Sequence, residues 1–144
     1  MKEKTTQELI AELMKTGGFG AVVFPVSPVS GGFMHRMYRV TTDYGIYAVK
    51  HLNPEIMSRP NVHDNYNRAE KIEALLEKEG LPIVPSLIID GHKMQNIEGN
   101  YFYIFNWQEG RITDWNHISN DQCRTVGNIL GRIHAVHPQN VPHR

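Results

Sequence analysis

Apolar positions along the chain follow two rhythms, and their alternation lays out the elements. Leu9, Ile10, Leu13 and Met14 recur at helical spacing behind Thr5-Thr6-Gln7-Glu8, whose Thr and Glu stand at capping-box separation, and Gly17-Gly18 closes the run. A short amphipathic helix is predicted there. Residues 19–26 are rich in Val and Phe, and Pro25 and Pro28 restrict them to an edge strand or an extended lead-in. Two β-rich runs follow within residues 29–50, the first preceded by the pair Gly31-Gly32 and reaching Val40, the second Ile46-Tyr47-Ala48-Val49-Lys50, joined by the polar turn Thr42-Asp43-Tyr44-Gly45. They read as a hairpin.

Asn53-Pro54 and Arg59-Pro60 predict a loop reaching about Asp64, the expected N-cap of a helix through Glu79. Ala69, Ile72, Leu75 and Leu76 form that helix's apolar stripe, with Gly80 as its stop and Glu70, Glu73, Glu77 and Glu79 around it. Glu70 lies beside the stripe, so the wheel alone does not aim it inward. Leu81-Pro82-Ile83-Val84-Pro85 is a rigid connector into a strand over 86–90, and a polar turn over 91–100 leads to a second strand, Tyr101-Phe102-Tyr103-Ile104-Phe105. After a break at 106–110, Ser119-Asn120-Asp121-Gln122 repeats the capping-box spacing ahead of a helix to about Val136, ended by Pro138. Its expected inward face is Cys123, Val126, Leu130 and Ile133. Strands adjacent in sequence, with one long helix inserted after the third, define an α+β layer rather than a doubly wound sheet.

Composition narrows the function classes. At 144 residues the chain can bury a real core, and its 15 basic and 15 acidic residues give no general attraction to nucleic acid or an anionic membrane. Any anion site must be local. One cysteine, Cys123, excludes an internal disulfide framework and fits a reducing compartment. No apolar run approaches the ~20 residues of a membrane span, and Met1-Lys2-Glu3-Lys4 leads straight into a polar helix, so a cytoplasmic location is expected.

The chemistry concentrates around the hairpin. Ile46, Ala48 and Lys50 share one strand face, so a small residue and a cation lie side by side, with room for a planar ring on Ala48 and a phosphate tail at Lys50. Gly31 and Gly32 precede the hairpin, where the lack of Cβ atoms lets backbone N–H groups approach phosphates. Taken singly, a glycine pair is usually a plain turn and a strand-ending lysine a solvated edge residue. Eight histidines include His134 and His137 at i, i+3 with His143 beyond, but no fourth metal ligand is in register. Cys123 reads as core, and Trp107 and Trp115 flank the break as packing or pocket aromatics.

These residues together resemble the N-terminal lobe of the aminoglycoside phosphotransferase and choline kinase family, small-molecule relatives of the protein kinases. The resemblance spans residues 20–137 or so and rests on Ser30-Gly31-Gly32, Tyr47-Ala48-Val49-Lys50, Ala69-Glu70, Gly80-Leu81-Pro82-Ile83-Val84-Pro85, Glu109-Gly110 and Leu130-Gly131-Arg132-Ile133-His134. It implies a kinase-like lobe of about five antiparallel strands with the long helix packed on the sheet. Residues 1–105 would form that nucleotide-binding lobe, 106–110 a hinge, and 111–144 the truncated start of a second lobe.

The site residues follow from the resemblance. Lys50 would contact the α- and β-phosphates, held by Glu70, while the loop of Ser30, Gly31, Gly32 and Phe33 through His35 covers them. Ala48 would roof the base, Phe105 stand behind it, and the carbonyl of Asn106 and N–H of Gln108 read its edge. ATP or GTP is the implied nucleotide, and Mg²⁺ is expected only with the second lobe, which carries the family's catalytic loop; no catalytic residue is expected in this stretch. The implied function is the nucleotide-binding half of a phosphotransferase acting on a small-molecule hydroxyl. A non-catalytic nucleotide- or partner-binding module, or a ligand-free scaffold, is the alternative. The apolar stripe of the last helix, over 120–136, would then invite docking on its own chain or self-association.

Overall fold

A computed structural model describes residues 2–30, 32–136 and 139 of the chain. Gly31, His137, Pro138 and His143 lie outside the described residues. The elements run α1 (Thr6–Thr16), β1 (Ser27–Val29), β2 (Arg36–Thr41), β3 (Ile46–His51), α2 (Pro54–Met57), α3 (Val62–Lys78), β4 (Gln95–Ile97), β5 (Asn100–Asn106), a 3₁₀ turn (Trp115–His117) and α4 (Asn120–His134). The five strands form one antiparallel sheet in the order β1-β2-β3-β5-β4. Two compact units divide the chain, Met1–Val62 with Ser86–Trp107, and His63–Pro85 with Gln108–Arg144.

The first unit is built on α1 and the sheet. Thr5 and Glu8 form the expected reciprocal cap, and Leu9, Ile10, Leu13 and Met14 are buried with Val40, Val49, Phe102 and Ile104 in one cluster. Burying one aliphatic side chain is worth about 1.5–3 kcal/mol, so this helix is structural rather than ornamental. The strand period then divides the sheet: Val40, Val49 and Ile104 face the α1 core, and Thr41, Ile46, Ala48, Lys50, Tyr103 and Phe105 take the other face.

The hairpin turn is fixed by side chains. Buried Thr42 donates its hydroxyl to the Phe19 carbonyl at 2.6 Å and accepts the Tyr44 N–H at 3.1 Å, while Asp43 accepts the Ala21 N–H at 2.8 Å. Gly20, at φ +94°, lies so close to Asp43 that a Cβ there would fall 2.1 Å from its carboxylate oxygen. These ties place residues 19–23 beside the end of β2, as an extended lead-in with one bridge from Val22 to Thr42. The edge strand itself comes later, at β1, and Pro28 sits on it where no outer neighbour needs its missing donor.

Three boundaries differ from the sequence expectation. The loop after Leu52 contains the helix α2, because Asn53 accepts the Glu55 N–H at 3.0 Å and Pro54 occupies the first helical position. That local cap outweighs the turn signal of Asn-Pro. Helix α3 begins at Val62 rather than after Asp64, which stands in its first turn, and it ends as expected before Gly80 at φ +73°. Ala69 of its expected stripe is exposed, whereas Ile72, Leu75 and Leu76 are half-buried.

The partner of β5 is also not the apolar run over 86–90. Asp90 and Gly91 (φ 49° and 81°) and Glu98 and Gly99 (φ 50° and 80°) form two successive two-residue turns, and the second pairs polar β4 with β5. Both central residues of such a turn take positive φ, which matches the right-handed twist of the flanking strands. The 86–90 run keeps one sheet-like bond, from the Leu87 N–H to the Ile104 carbonyl at 2.8 Å.

In the second unit, the Arg132 guanidinium donates to the Gly80 carbonyl at 2.8 Å, joining α4 to the end of α3. Helix α4 carries the expected Ser119–Gln122 capping box, yet none of its residues is buried. Val126, Leu130 and Ile133 are 63, 50 and 37% exposed, and Cys123 is exposed as well. The inward face expected of this helix is an outward one, because no described layer covers it.

Candidate functional site

The face of the sheet opposite α1 assembles the site from three strands. In register, Ala48 lies between Arg39 of β2 and Phe105 of β5, and Lys50 lies between Met37 and Tyr103. The Lys50 ammonium stands 5.5 Å from the centre of the Phe105 ring, and the Arg39 guanidinium lies 5.2 Å from that of Trp107. Tyr103 is buried, its ring 6.5 Å from that of Phe105. Ala48 is therefore the small position between two cation–aromatic pairs.

The loop ahead of β2 enters the sheet at the rung of Arg36 and His51. Ser30 is exposed and Phe33 fully so, whereas His35 turns inward and is half-buried. A Cβ on Gly32 would fall 2.6 Å from the His35 carbonyl, so only glycine allows the loop to fold back on itself at this point. Gly31 lies outside the described residues. A cavity of about 500 Å³ opens between the loop and the β3–α2 junction, lined among others by Gly32, His35, Arg36, His51 and Asn53.

Two histidines border this cavity. Burial, and then the charge of Lys50, hold His35 below its ordinary value, while its Nδ1 accepts the Asn53 N–H at 3.0 Å. His51 is also held down by burial, against the raising effect of its Asn100 contact at 3.1 Å, and its ring stacks on Phe102 at 4.6 Å. Sequence reasoning passed over the tie between His35 and Asn53, which spans 18 positions and has no periodic signal. It likewise missed Arg39 and Tyr103, whose roles depend on strand register.

The remaining expected residues fall as follows. Asn106 ends β5 opposite Tyr47 and is exposed, and Gln108, also exposed, begins the second unit's segment after the sheet. Glu70 stands in the middle of α3, half-buried, in the second unit. Lys50, Ala48, Phe105 and the 32–35 loop are thus united within the first unit. Among the described residues, no three His, Cys, Asp or Glu side chains converge to hold a metal ion, and no helix is long and apolar enough to cross a membrane.

A five-stranded antiparallel sheet with a helix packed on one face is the fold of a phosphotransferase-like α+β lobe. The chain belongs to the phosphotransferase enzyme family, whose model matches residues 25–144. No curated protein matches it. Among solved structures, the spectinomycin phosphotransferase APH(9)-Ia, crystallised with ADP and spectinomycin, superposes with a TM-score of 0.71 at 16% identity, covering 96% of this chain. A putative aminoglycoside phosphotransferase from Ralstonia eutropha JMP134 aligns over 76% of this chain at 17% identity, with a TM-score of 0.46. The chain spans 41% of the first of these proteins and 30% of the second.

Proposed function

We propose that this chain is the nucleotide-binding part of an ATP- or GTP-dependent phosphotransferase whose acceptor is a hydroxyl of a small molecule. The observation that carries the reading is that Ala48, paired with Phe105, and Lys50, whose ammonium lies 5.5 Å from the centre of the Phe105 ring, share one sheet face. The base rests on Ala48 with Phe105 behind it, and the Asn106 carbonyl and Gln108 N–H read its edge. Lys50 takes the α- and β-phosphates with Glu70 fixing its ammonium, and the Ser30, Gly31, Gly32 and Phe33 backbone covers them. That a protein sharing this fold was crystallised with ADP supports the choice of ligand. Mg²⁺ would supply charge neutralisation at the phosphates, and no residue here is assigned to bind it. A reducing, cytoplasmic setting suits such an enzyme.

Nucleotide binding is tested by thermal shift with MgATP and MgGTP. A ligand that binds the folded state at a hundred times its Kd stabilises it by about 2.7 kcal/mol. A saturable rise in Tm with at least one nucleotide is expected. No shift with either, at millimolar concentration, would leave a family member whose lobe carries no nucleotide.

The exposed stripe of α4 is the second part of the reading. Val126, Leu130 and Ile133 continue into an open apolar cavity of about 720 Å³ bordered by Ile118, Cys123 and Val126. Such a surface favours pairing with a second copy of this chain.

A further inference from the structure

The glycine loop is held at its base by a bond that the nucleotide reading does not require. Asn53 is fixed from three sides: its side chain caps α2 at the Glu55 N–H, its carbonyl accepts the Ile56 and Met57 N–H groups, and the preceding Leu52 is buried and donates to the Tyr101 carbonyl. The remaining polar group of its backbone, the N–H, donates to His35 Nδ1 at 3.0 Å. On the loop side, Gly32 packs against the His35 carbonyl so closely that no side chain fits between them. Phe33 and Met34 are exposed, whereas His35 is half-buried and bonded to Asn53.

We propose that His35 is a positioning residue: by accepting the Asn53 N–H it pins the 32–35 segment so that its backbone can meet phosphate oxygens near Lys50. The inference rests on the nucleotide reading above and adds the part that holds the loop in place. Only an unprotonated Nδ1 can accept, so the ring carries its proton on Nε2. Protonation would set a second donor against the Asn53 N–H and break the tie. The charge of Lys50 on β3 acts on the ring, and Arg36 at the start of β2 and His51 on β3 line the cavity beside it. Helix α2 adds Glu55, which is exposed and outside the cavity lining. This setting favours the neutral ring at neutral pH.

The tie is read first in the free protein, by following the Asn53 amide and the His35 ring by NMR from pH 8 to pH 5. The Asn53 resonance is expected to titrate with the same midpoint as His35, below the ordinary histidine value, and its amide exchange to accelerate as the ring is protonated. Two variants then separate the tie from the ring. In His35→Asn, a side-chain oxygen takes the place of Nδ1 without titrating, so MgATP affinity at pH 7.5 should stay within about twofold and lose its fall toward pH 5.5. In His35→Ala the acceptor is gone, and affinity should drop roughly fivefold at pH 7.5 with an unchanged circular dichroism spectrum.

An Asn53 amide indifferent to His35 titration, or a folded His35→Ala protein that binds MgATP as tightly as the parent, would overturn the proposal. The NMR titration of the parent decides the matter even if the alanine variant fails to fold. If Asn53 follows His35 in a protein that binds no nucleotide, the tie stands and the nucleotide reading beneath it falls.

Discussion

At the scale of single residues, the protein spends its polar side chains on fixing backbone. Thr42 and Asp43 bind the hairpin turn to the 19–21 segment, Asn53 caps α2, and His35 holds the glycine loop. The two shifted histidines give stability a definite pH dependence. His35 and His51 are both held below the ordinary value of 6.5, chiefly by burial, so the unfolded chain binds more protons than the folded one as pH falls past that value. Their contribution is complete above 6.5 and is lost as pH drops toward the folded values. Glu8 and Asp114 are lowered by hydrogen bonds from Thr5 and Asn116, and their contribution is lost only below the carboxylate range. The urea midpoint should therefore fall between pH 7.5 and pH 5.5, before any carboxylate effect begins. An unchanged midpoint over that interval would contradict the burial of these rings.

At the scale of elements, what the sequence showed and what it hid divide along a physical line. Helix α1, the β2–β3 hairpin, the end of α3 and both capping boxes rest on local signals, and each lies where spacing and turn chemistry place it. The Lys50 and Ala48 face was legible for the same reason, since a strand's period of two needs no knowledge of its neighbours. What depended on partners was not legible. The apolar 86–90 run looks more strand-like than Gln95-Asn96-Ile97, yet the positive-φ turn at Glu98-Gly99 gives the pairing to the polar segment. Likewise the stripe of α4 reads as buried in any helical wheel, because a wheel shows that a face is apolar and not what covers it. That face makes its own prediction. Leu130→Glu places a charge in the middle of the exposed stripe and should convert a self-associated species to monomer in light scattering at high concentration, leaving the helix content unchanged. A parent protein that is already monomeric there would dismiss pairing through α4.

At the scale of the molecule, membership of the phosphotransferase enzyme family and a fold shared over 96% of the chain with a solved phosphotransferase give the architecture. The proposed site draws on Lys50 of β3, in the first unit. Within the first unit, the sheet places the small Ala48 and the Lys50 cation on one face, the pair that the proposed seat for a base and its phosphate tail uses. A charge-assisted contact of this kind contributes about 1.5–3 kcal/mol.

The most direct measurement is a calorimetric titration of MgATP into the parent protein and into Lys50→Ala. The account predicts saturable binding to the parent and an affinity lower by roughly tenfold to a hundredfold in the variant, whose circular dichroism spectrum is unchanged. Equal affinity in the two proteins would contradict it.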